Sequence, residues 1–186
     1  MLRFLHLVIE TATFNRPREA ILFLNECLAR AEGKTEISWQ VIRSAEVEYS
    51  RKRLRSLADE WHADFPGLPA YSRILAKRKS PFFYRALERA DADNFALTLV
   101  DEVQDSKDPM LALAQRYVDD SSNLDLFLTS ICSVLYQVGM LGFKPDPQTA
   151  TQWSYINQPT IGRAQIGPGT HFYIHPAFWV FLGTPN

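Results

Sequence analysis

LDLFLTSICSVLYQVGMLGFK, residues 124–144, contains the clearest change of pattern in the chain. Up to Val138 its apolar side chains recur at spacings of three and four, the period of one helix face. These residues are Leu124, Phe127, Leu128, Ile131, Leu135 and Val138. Ser121 or Ser122 can cap this helix, because a hydroxyl oxygen accepts a hydrogen bond from a backbone N–H of the first turn. After Gly139 the period stops, so the segment predicts a long helix that ends in a turn.

Two runs beyond this helix have the composition of strands. Residues 151–156, TQWSYI, and residues 171–174, HFYI, are bounded by turn residues, and Pro168-Gly169 marks the turn before the second run. Residues 176–182 predict a short terminal helix or closing segment. Helices followed by a short two- or three-stranded sheet are the order of a winged helix. The C-terminal part is therefore expected to be a winged-helix-like α+β unit with a small antiparallel sheet.

The N-terminal part is predicted to be helical. Residues 2–12 have helical character, and Asn15 and Pro17 suit the start of a further helix that Gly33 can end. The spacing of its apolar residues predicts one buried face. That face consists of Ile21, Leu24, Leu28 and Ala31.

Ser38 is expected to cap the next helix, which should end before Pro66-Gly67. One face of this helix is apolar and the other carries Arg and Glu. The apolar residues are Val41, Ile42, Ala45, Tyr49, Leu54, Leu57 and Trp61. A helical pattern returns over residues 82–90 and 97–103, and Asp108-Pro109 opens another short helix. The fold class is therefore mainly α.

The composition is that of an ordinary globular protein. Hydrophobic residues make up 46% and charged residues 22%, which excludes wholesale disorder, and a net charge of −1 argues against a protein coated in positive charge. Cys27 and Cys132 lie far apart in apolar runs, so we expect buried thiols in a reducing compartment. No stretch approaches the roughly 18 apolar residues of a membrane span, and no signal-peptide cleavage site follows the N-terminus. We expect a cytoplasmic protein without a membrane partner.

Two fragments match parts of ATP-binding motifs, and both fail on context. Gly33-Lys34-Thr35 has the end of a phosphate-binding loop, but Leu28 stands where that loop needs a glycine, and a helix precedes it. Residues 95–100 before Asp101-Glu102 resemble the strand that carries magnesium-binding acids, but they also fit a helix face.

No other motif predicts a catalytic, metal or cofactor site. His171 and His175 would lie about 13 Å apart along a strand, which is too far for one ion. The chain also lacks a nucleophile elbow such as Gly-x-Ser-x-Gly. We therefore expect no catalytic residue, no metal and no cofactor.

Basic residues cluster in two runs. They are Arg51, Lys52, Arg53 and Arg55 in the second helix, and Lys77, Arg78 and Lys79 in the turn-rich segment beyond it. Such residues neutralise phosphates, and aromatic residues lie nearby, which is typical of nucleic-acid contact. The same helix also carries Glu46, Glu48, Asp59 and Glu60, so an ordinary ion-paired, solvated face is the alternative.

Residues 14–27, FNRPREAILFLNEC, are the most distinctive segment of the chain. They resemble the helix with an RPR motif in the lid region of bacterial STAND/AAA-type P-loop ATPases, a group that includes many phage-defence proteins. Similarity continues in order through residues 37–68. Residues 135–144, 153–155 and 173–178 are similar to the winged-helix-like end of the same group, so the resemblance runs along almost the whole chain.

The nucleotide-binding core of that group would precede residue 1. The resemblance therefore implies the C-terminal portion of such an ATPase, as a truncated product, an expressed fragment or one half of a split protein whose core another chain supplies. It implies a helical lid-like region at residues 1–66, a basic linker at 67–80 and a winged-helix-like domain at 81–186.

The resemblance also implies a role for Arg16 and Arg18 at the start of the lid helix. In this group an arginine there can reach the terminal phosphates of nucleotide bound to the core. A guanidinium offers a bidentate fork to phosphate, and the helix N-terminus adds partial positive charge. The alternative is an ion pair with Glu19 or with a neighbouring helix.

Three functions are compatible with these sequence patterns and this resemblance. The first is a non-catalytic regulatory and interaction module that couples the nucleotide state of an ATPase core to a partner or signal. The second is a DNA-binding winged-helix regulator, although residues 124–141 contain no Lys or Arg with which to read a major groove. The third is an enzyme in its own right, for which no recognisable set of catalytic residues exists. We expect the first.

Overall fold

The structure is a computed structural model that describes residues 17–185. Within this range the chain forms seven α-helices and one small sheet. The helices are α1 (Pro17–Arg30), α2 (Trp39–Glu60), α3 (Leu68–Tyr71), α4 (Arg89–Glu102), α5 (Pro109–Asp119), α6 (Leu124–Gln137) and α7 (Trp179–Leu182). The predicted mainly helical fold class is confirmed. The helix expected at residues 2–12 lies outside the described residues.

Three short strands form an antiparallel sheet in the order β1-β3-β2. They are β1 (Phe82–Phe83), β2 (Leu141–Lys144) and β3 (His171–Ile174). Phe172 in the central strand lies opposite Phe82 on one side and Phe143 on the other. All three phenylalanines are buried, with ring centroids 5.8 and 6.1 Å apart across the strands. This inner face packs the sheet onto the helices.

Helix α6 lies in the middle of the main hydrophobic cluster. Phe127 stacks on Phe95 of α4 and on Tyr117 of α5, with ring centroids 5.4 and 5.2 Å apart. Ile131 and Leu135 continue the same face and are fully buried. The apolar face predicted for this helix is therefore correct, and the helix acts as a core element.

The segment 67–80, predicted as a basic linker, packs into the same cluster. Leu68 and Tyr71 of α3, and Leu75 in the 3-10 turn that follows, are buried there. Lys77 adopts a positive φ of 58°, and its N–H donates to the carbonyl of Leu182 at 2.7 Å. The segment therefore contributes to the core. The division of the chain into domains stays a prediction.

Asp108 is a fully buried carboxylate at the start of α5. It accepts hydrogen bonds from the N–H groups of Met110 and Leu111, both at 2.9 Å, and so caps the helix whose start was predicted at Asp108-Pro109. It also accepts from the N–H of Gly67 at 2.8 Å and from the hydroxyl of Tyr71 at 2.6 Å. The side chain of Asp108 thus connects the start of α5 to α3, although the whole of α4 lies between these two helices in the sequence.

Two neighbours of this carboxylate fit it closely. A Cβ on Gly67 would lie within 2.7 to 2.9 Å of atoms of Val103, Asp108 and Tyr71, so only glycine lets the chain approach this carboxylate. Burial, reinforced by the hydrogen bond to Asp108, raises the pKa of Tyr71, so its hydroxyl remains a donor.

The apolar face predicted for α1 was wrong. Ile21 and Leu28 are both 58% exposed, whereas Phe23 and Cys27 are fully buried. This helix has apolar residues on more than one side, so spacing alone cannot select the buried one. The choice is made by α2, which packs against the side that carries Phe23 and Cys27.

Three further local predictions also need correction. Residues 82–83 are a strand because they pair with β3, and the following helix begins only at Arg89. Residues 151–156 form only a single bridge, between Gln152 and Phe143, while the strand Leu141–Lys144 was missed. The expected caps Ser121 and Ser122 lie in a 3-10 turn that precedes α6. The terminal helix and the strand at 171–174 were predicted correctly.

Replacing Asp108 by Ala should lower the free energy of unfolding by about 3–5 kcal/mol, because it removes a helix cap and leaves buried donors without an acceptor. Urea unfolding followed by circular dichroism measures this loss. Asp119→Ala, at an exposed position of the same helix, is the control and should change stability by less than about 0.5 kcal/mol. Equal effects of the two changes would contradict the role given to Asp108.

Candidate functional site

A charged groove lies between α1 and α2. It encloses about 470 Å³ and is lined by two stripes of residues at helical spacing. Helix α1 contributes Glu19, Leu22 and Glu26, and α2 contributes Tyr49, Lys52, Arg53, Ser56 and Glu60. The RPR segment leads directly into this groove, since Glu19 follows it in the chain.

Two glutamates of α1 hold the polar side chains of α2. Glu19 accepts a hydrogen bond from the hydroxyl of Tyr49 at 2.7 Å and forms an ion pair with Arg53 at 3.6 Å. Glu26 accepts from the ammonium group of Lys52 at 2.6 Å and from Arg30 at 2.7 Å. The polar face between the helices is thus neutralised in pairs, and it fixes how the two helices align.

The electrostatics of Glu26 follow from these contacts. Burial would raise the pKa of its carboxyl, but the hydrogen bonds from Lys52 and Arg30 outweigh burial and lower that pKa. The carboxylate therefore stays charged at neutral pH.

Beneath the groove, the helix pair has a small apolar core of its own. Phe23 packs edge-to-face on Tyr49 with ring centroids 5.6 Å apart, and Cys27 and Ala45 are fully buried beside them. Ala177, just before α7, belongs to this same cluster. The C-terminal end of the described chain thus packs against the first two helices.

Ser50 joins this helix pair to the rest of the molecule. Its hydroxyl is buried and donates to the carbonyl of Ala177 at 2.5 Å. On α2 it follows Tyr49, which belongs to the small cluster, and precedes Leu54, which belongs to the main one. Ser50 therefore lies on α2 where the two clusters meet.

A second cavity of about 300 Å³ lies at this junction. It shares Arg53 and Glu60 with the charged groove, and its other walls include Trp61, Tyr155 and His175. The Nδ1 atom of His175 accepts a hydrogen bond from the N–H of Ala177 at 3.2 Å. The histidine thus caps the 3-10 turn that carries the acceptor of Ser50.

The structure places the predicted phosphate-sensing residues only in part. Arg16 lies outside the described residues. Arg18 lies in the first turn of α1, the position that the resemblance gave it, but its side chain is not described. Their contact with nucleotide stays a prediction.

Most of the predicted nucleic-acid cations have partners within the chain. Arg51 pairs with Glu48 at 2.7 Å, and Lys52 and Arg53 bind the glutamates of α1. Arg78 pairs with Asp91 at 2.7 Å and donates to the carbonyl of Ala86 at 3.0 Å. The remaining three, Arg55, Lys77 and Lys79, are exposed. Nucleic-acid contact by these runs stays a prediction.

Sequence reasoning missed the central pair of the groove. Glu19 and Tyr49 are 30 residues apart, so no local spacing connects them. The pair of Glu26 and Arg30 has the i, i+4 spacing of a helix ion pair and could have been found.

The two cysteines lie in separate hydrophobic clusters. Cys27 and Cys132 are both buried free thiols, as predicted, and burial raises the pKa of each. Among the residues that the structure describes, no group of three or more His, Cys, Asp or Glu side chains could hold a metal ion. None of the described helices is long and apolar enough to cross a membrane.

One family model matches the chain, over residues 5–58. Its description is the FunZ-associated C-terminal helical domain. The match covers less than a third of the chain and includes α1 and nearly all of α2. This supports a C-terminal helical module at these residues. Neither a curated protein nor a solved structure matches the chain.

Replacing Glu26 by Gln should make the stability of the protein less dependent on acid. Because the folded-state pKa of Glu26 lies below the ordinary value of 4.5, its stabilising effect is present above that value and is lost as the pH falls through the folded-state pKa. We expect Glu26→Gln to lower the free energy of unfolding at about pH 7, by no more than about 1 kcal/mol, and to have little effect at about pH 3.

Urea unfolding at the two pH values measures this difference. Glu36→Gln, at an exposed glutamate outside the groove, is the matched control and should behave like the wild type at both. An effect of Glu26→Gln that is equal at the two pH values would show that the charge of Glu26 is not what stabilises the groove.

Proposed function

We propose that this chain is a non-catalytic regulatory and interaction module. It is equivalent to the C-terminal part of a P-loop ATPase of the STAND/AAA type, such as those of phage defence, and it works in the cytoplasm. It couples the nucleotide state of an ATPase core to a partner or signal. ATP hydrolysis would require that core, which another chain or a further segment supplies.

The observation that carries the proposal is the attachment of the α1–α2 pair to the rest of the protein. The pair has its own small core around Phe23 and Cys27, and the family model of a C-terminal helical domain matches it. It meets the main body at Ser50 and Ala177. A displacement of the pair would therefore act directly on the turn that precedes α7.

In this proposal, the N-terminus of α1 is the part of the module that contacts nucleotide. Arg18 lies in the first turn, where the free N–H groups of a helix favour an anion and a guanidinium can bind phosphate in a bidentate way. Arg16 precedes it by two residues. We assign to these two arginines the sensing of the terminal phosphates of nucleotide in the core.

The second half of the chain suits a winged-helix-like body. The sheet order β1-β3-β2, with α4, α5 and α6 between the first two strands, supports this assignment. The long connection between β2 and β3 would be the wing. In this proposal the body is the part that contacts the partner or signal.

Duplex DNA binding through the helix α6 is the less favoured function. That helix has no Lys or Arg, and its residues Phe127, Ile131 and Leu135 are buried in the main core. A recognition helix needs an exposed face with side chains that reach base edges. The partner proposed for this module is therefore the ATPase core, through the α1–α2 pair.

To test the proposal, the chain is expressed together with the P-loop core encoded in the same or the neighbouring reading frame. We expect a stable complex that hydrolyses ATP, whereas this chain alone shows no hydrolysis. Arg18→Ala should lower the hydrolysis rate at least about tenfold without weakening the complex, because removing an arginine that contacts the transferred phosphate has effects of this size or larger. The hydrolysis rate of Arg18→Lys should lie between those of the wild type and Arg18→Ala, since lysine keeps the positive charge but cannot bind phosphate in a bidentate way.

Lys34→Ala, at an exposed cation beyond the end of α1, is the control and should leave hydrolysis unchanged. The proposal fails if the core does not bind this chain and if ATP hydrolysis by the core is the same with and without the chain. ATP hydrolysis by the isolated chain would likewise contradict it.

A further inference from the structure

The outer face of the sheet carries a row of aromatic and basic side chains. Phe83, His171 and Lys144 lie opposite one another across β1, β3 and β2, so their side chains share one face. Along β3 the alternate residues Phe172 and Ile174 are buried on the inner face. The outer row is therefore the solvent side of the sheet, and Phe83 is 37% exposed on it.

Planar side chains contact Phe83 at one end of this row, and the ring of His171 is tilted by 45° to that of Phe83. The rings of Phe83 and His171 have centroids 4.0 Å apart, and the guanidinium of Arg85 lies 4.7 Å from the centroid of the Phe83 ring. The Nδ1 atom of His171 is buried and has no hydrogen-bond partner among the residues described. Phe83 is thus held by planar neighbours with part of its surface open to solvent.

The aromatic surface continues to the other side of the sheet. Tyr173 shares the outer face with His171, and Gly142 lies opposite it. The indole ring of Trp153 fills the space beside Gly142. A Cβ at position 142 would lie only 2.8 Å from this ring, so the close contact requires glycine. Tyr155, which is 37% exposed, follows with its ring centroid 5.9 Å from that of Trp153. We call this set of side chains the aromatic strip. Its members are Phe83, His171, Tyr173, Trp153 and Tyr155.

Two basic side chains border the aromatic strip. Arg85 and Lys144 flank it and have no carboxylate within ion-pair distance in the described part of the chain. The carboxyl of Asp146 lies near Lys144 and feels its charge, but its oxygens accept three hydrogen bonds within its own turn, from Gln148 and Thr149. The two cations are therefore available to an anion from outside.

We propose that the aromatic strip binds single-stranded nucleic acid. Bases stack on Phe83, His171 and Tyr173, and Arg85 and Lys144 neutralise the phosphates. Exposed aromatic rings on a small sheet with cations beside them are the features with which proteins hold unpaired bases. A duplex hides its base faces, so this surface favours the single strand. The activity is separate from the coupling to an ATPase core.

The test measures binding of the full chain to fluorescein-labelled oligonucleotides by anisotropy. Oligo-dT and oligo-U of about twelve nucleotides are compared with a DNA duplex of the same length, at about 50 and about 200 mM salt. We expect either oligomer to bind at least about tenfold more tightly than the duplex. The comparison between oligo-dT and oligo-U then tells which backbone the chain prefers.

Three variants separate stacking from charge. Phe83→Ala should weaken binding about tenfold with an unchanged salt dependence, because one stacked base contributes about that much. Phe83→Trp, which keeps an aromatic face, should retain binding. Lys144→Ala should weaken binding and reduce the slope of log K against log salt by about 0.7, the value for one phosphate contact on a single strand.

Arg116→Ala is the matched control, because Arg116 is an exposed cation on α5 that belongs neither to the aromatic strip nor to the two basic runs. It should bind like the wild type. Circular dichroism and urea unfolding verify that each variant is folded. Equal affinity for single strand and duplex would overturn the proposal, as would wild-type binding by Phe83→Ala or Lys144→Ala.

Discussion

The hydrogen bond from Ser50 to the carbonyl of Ala177 is the contact on which the arrangement of the molecule depends. It lies on α2 where the small core around Phe23 meets the main core. A buried hydroxyl and a buried carbonyl each lose water on folding, so either one left without the other would cost about 1–3 kcal/mol. The capped turn of His175 presents that carbonyl. The orientation of the first two helices is therefore tied to the end of the chain.

Local signals in the sequence predicted those elements whose ends carry their own chemistry. Ser38 caps α2 and α5 starts at Asp108-Pro109, both as expected, and Gly33 follows the end of α1 with a positive φ of 73°. The wrong predictions concern features that depend on packing or pairing with another element of the fold. The buried side of α1 is selected by α2, and the strand Leu141–Lys144 exists because β3 pairs with it. The residues of this strand come shortly after a helix and do not alternate between apolar and polar side chains. The sequence therefore lacks the period of two that predicts a strand.

The candidate sites show the same division. The ion pair between Glu26 and Arg30 has the spacing of one helix and could be predicted, but the contact of Glu19 with Tyr49 joins residues far apart in the chain. The basic run that begins at Arg51 could be predicted from its charge, whereas the ion pairs of Arg51, Lys52 and Arg53 with carboxylates are visible only in the structure. The outer row of the sheet could not be predicted, because the register of three strands brings it together.

The measurement that tests the proposed coupling most directly is amide hydrogen exchange of this chain in complex with the proposed ATPase core, once with ATP and once with ADP. We expect that protection of Ala177 and Phe178 changes with the nucleotide, whereas Met110 and Leu111, which donate to Asp108, exchange equally in both states. Ser50→Ala should abolish the nucleotide-dependent change while the complex persists. Identical exchange throughout the chain with ATP and with ADP would contradict the account.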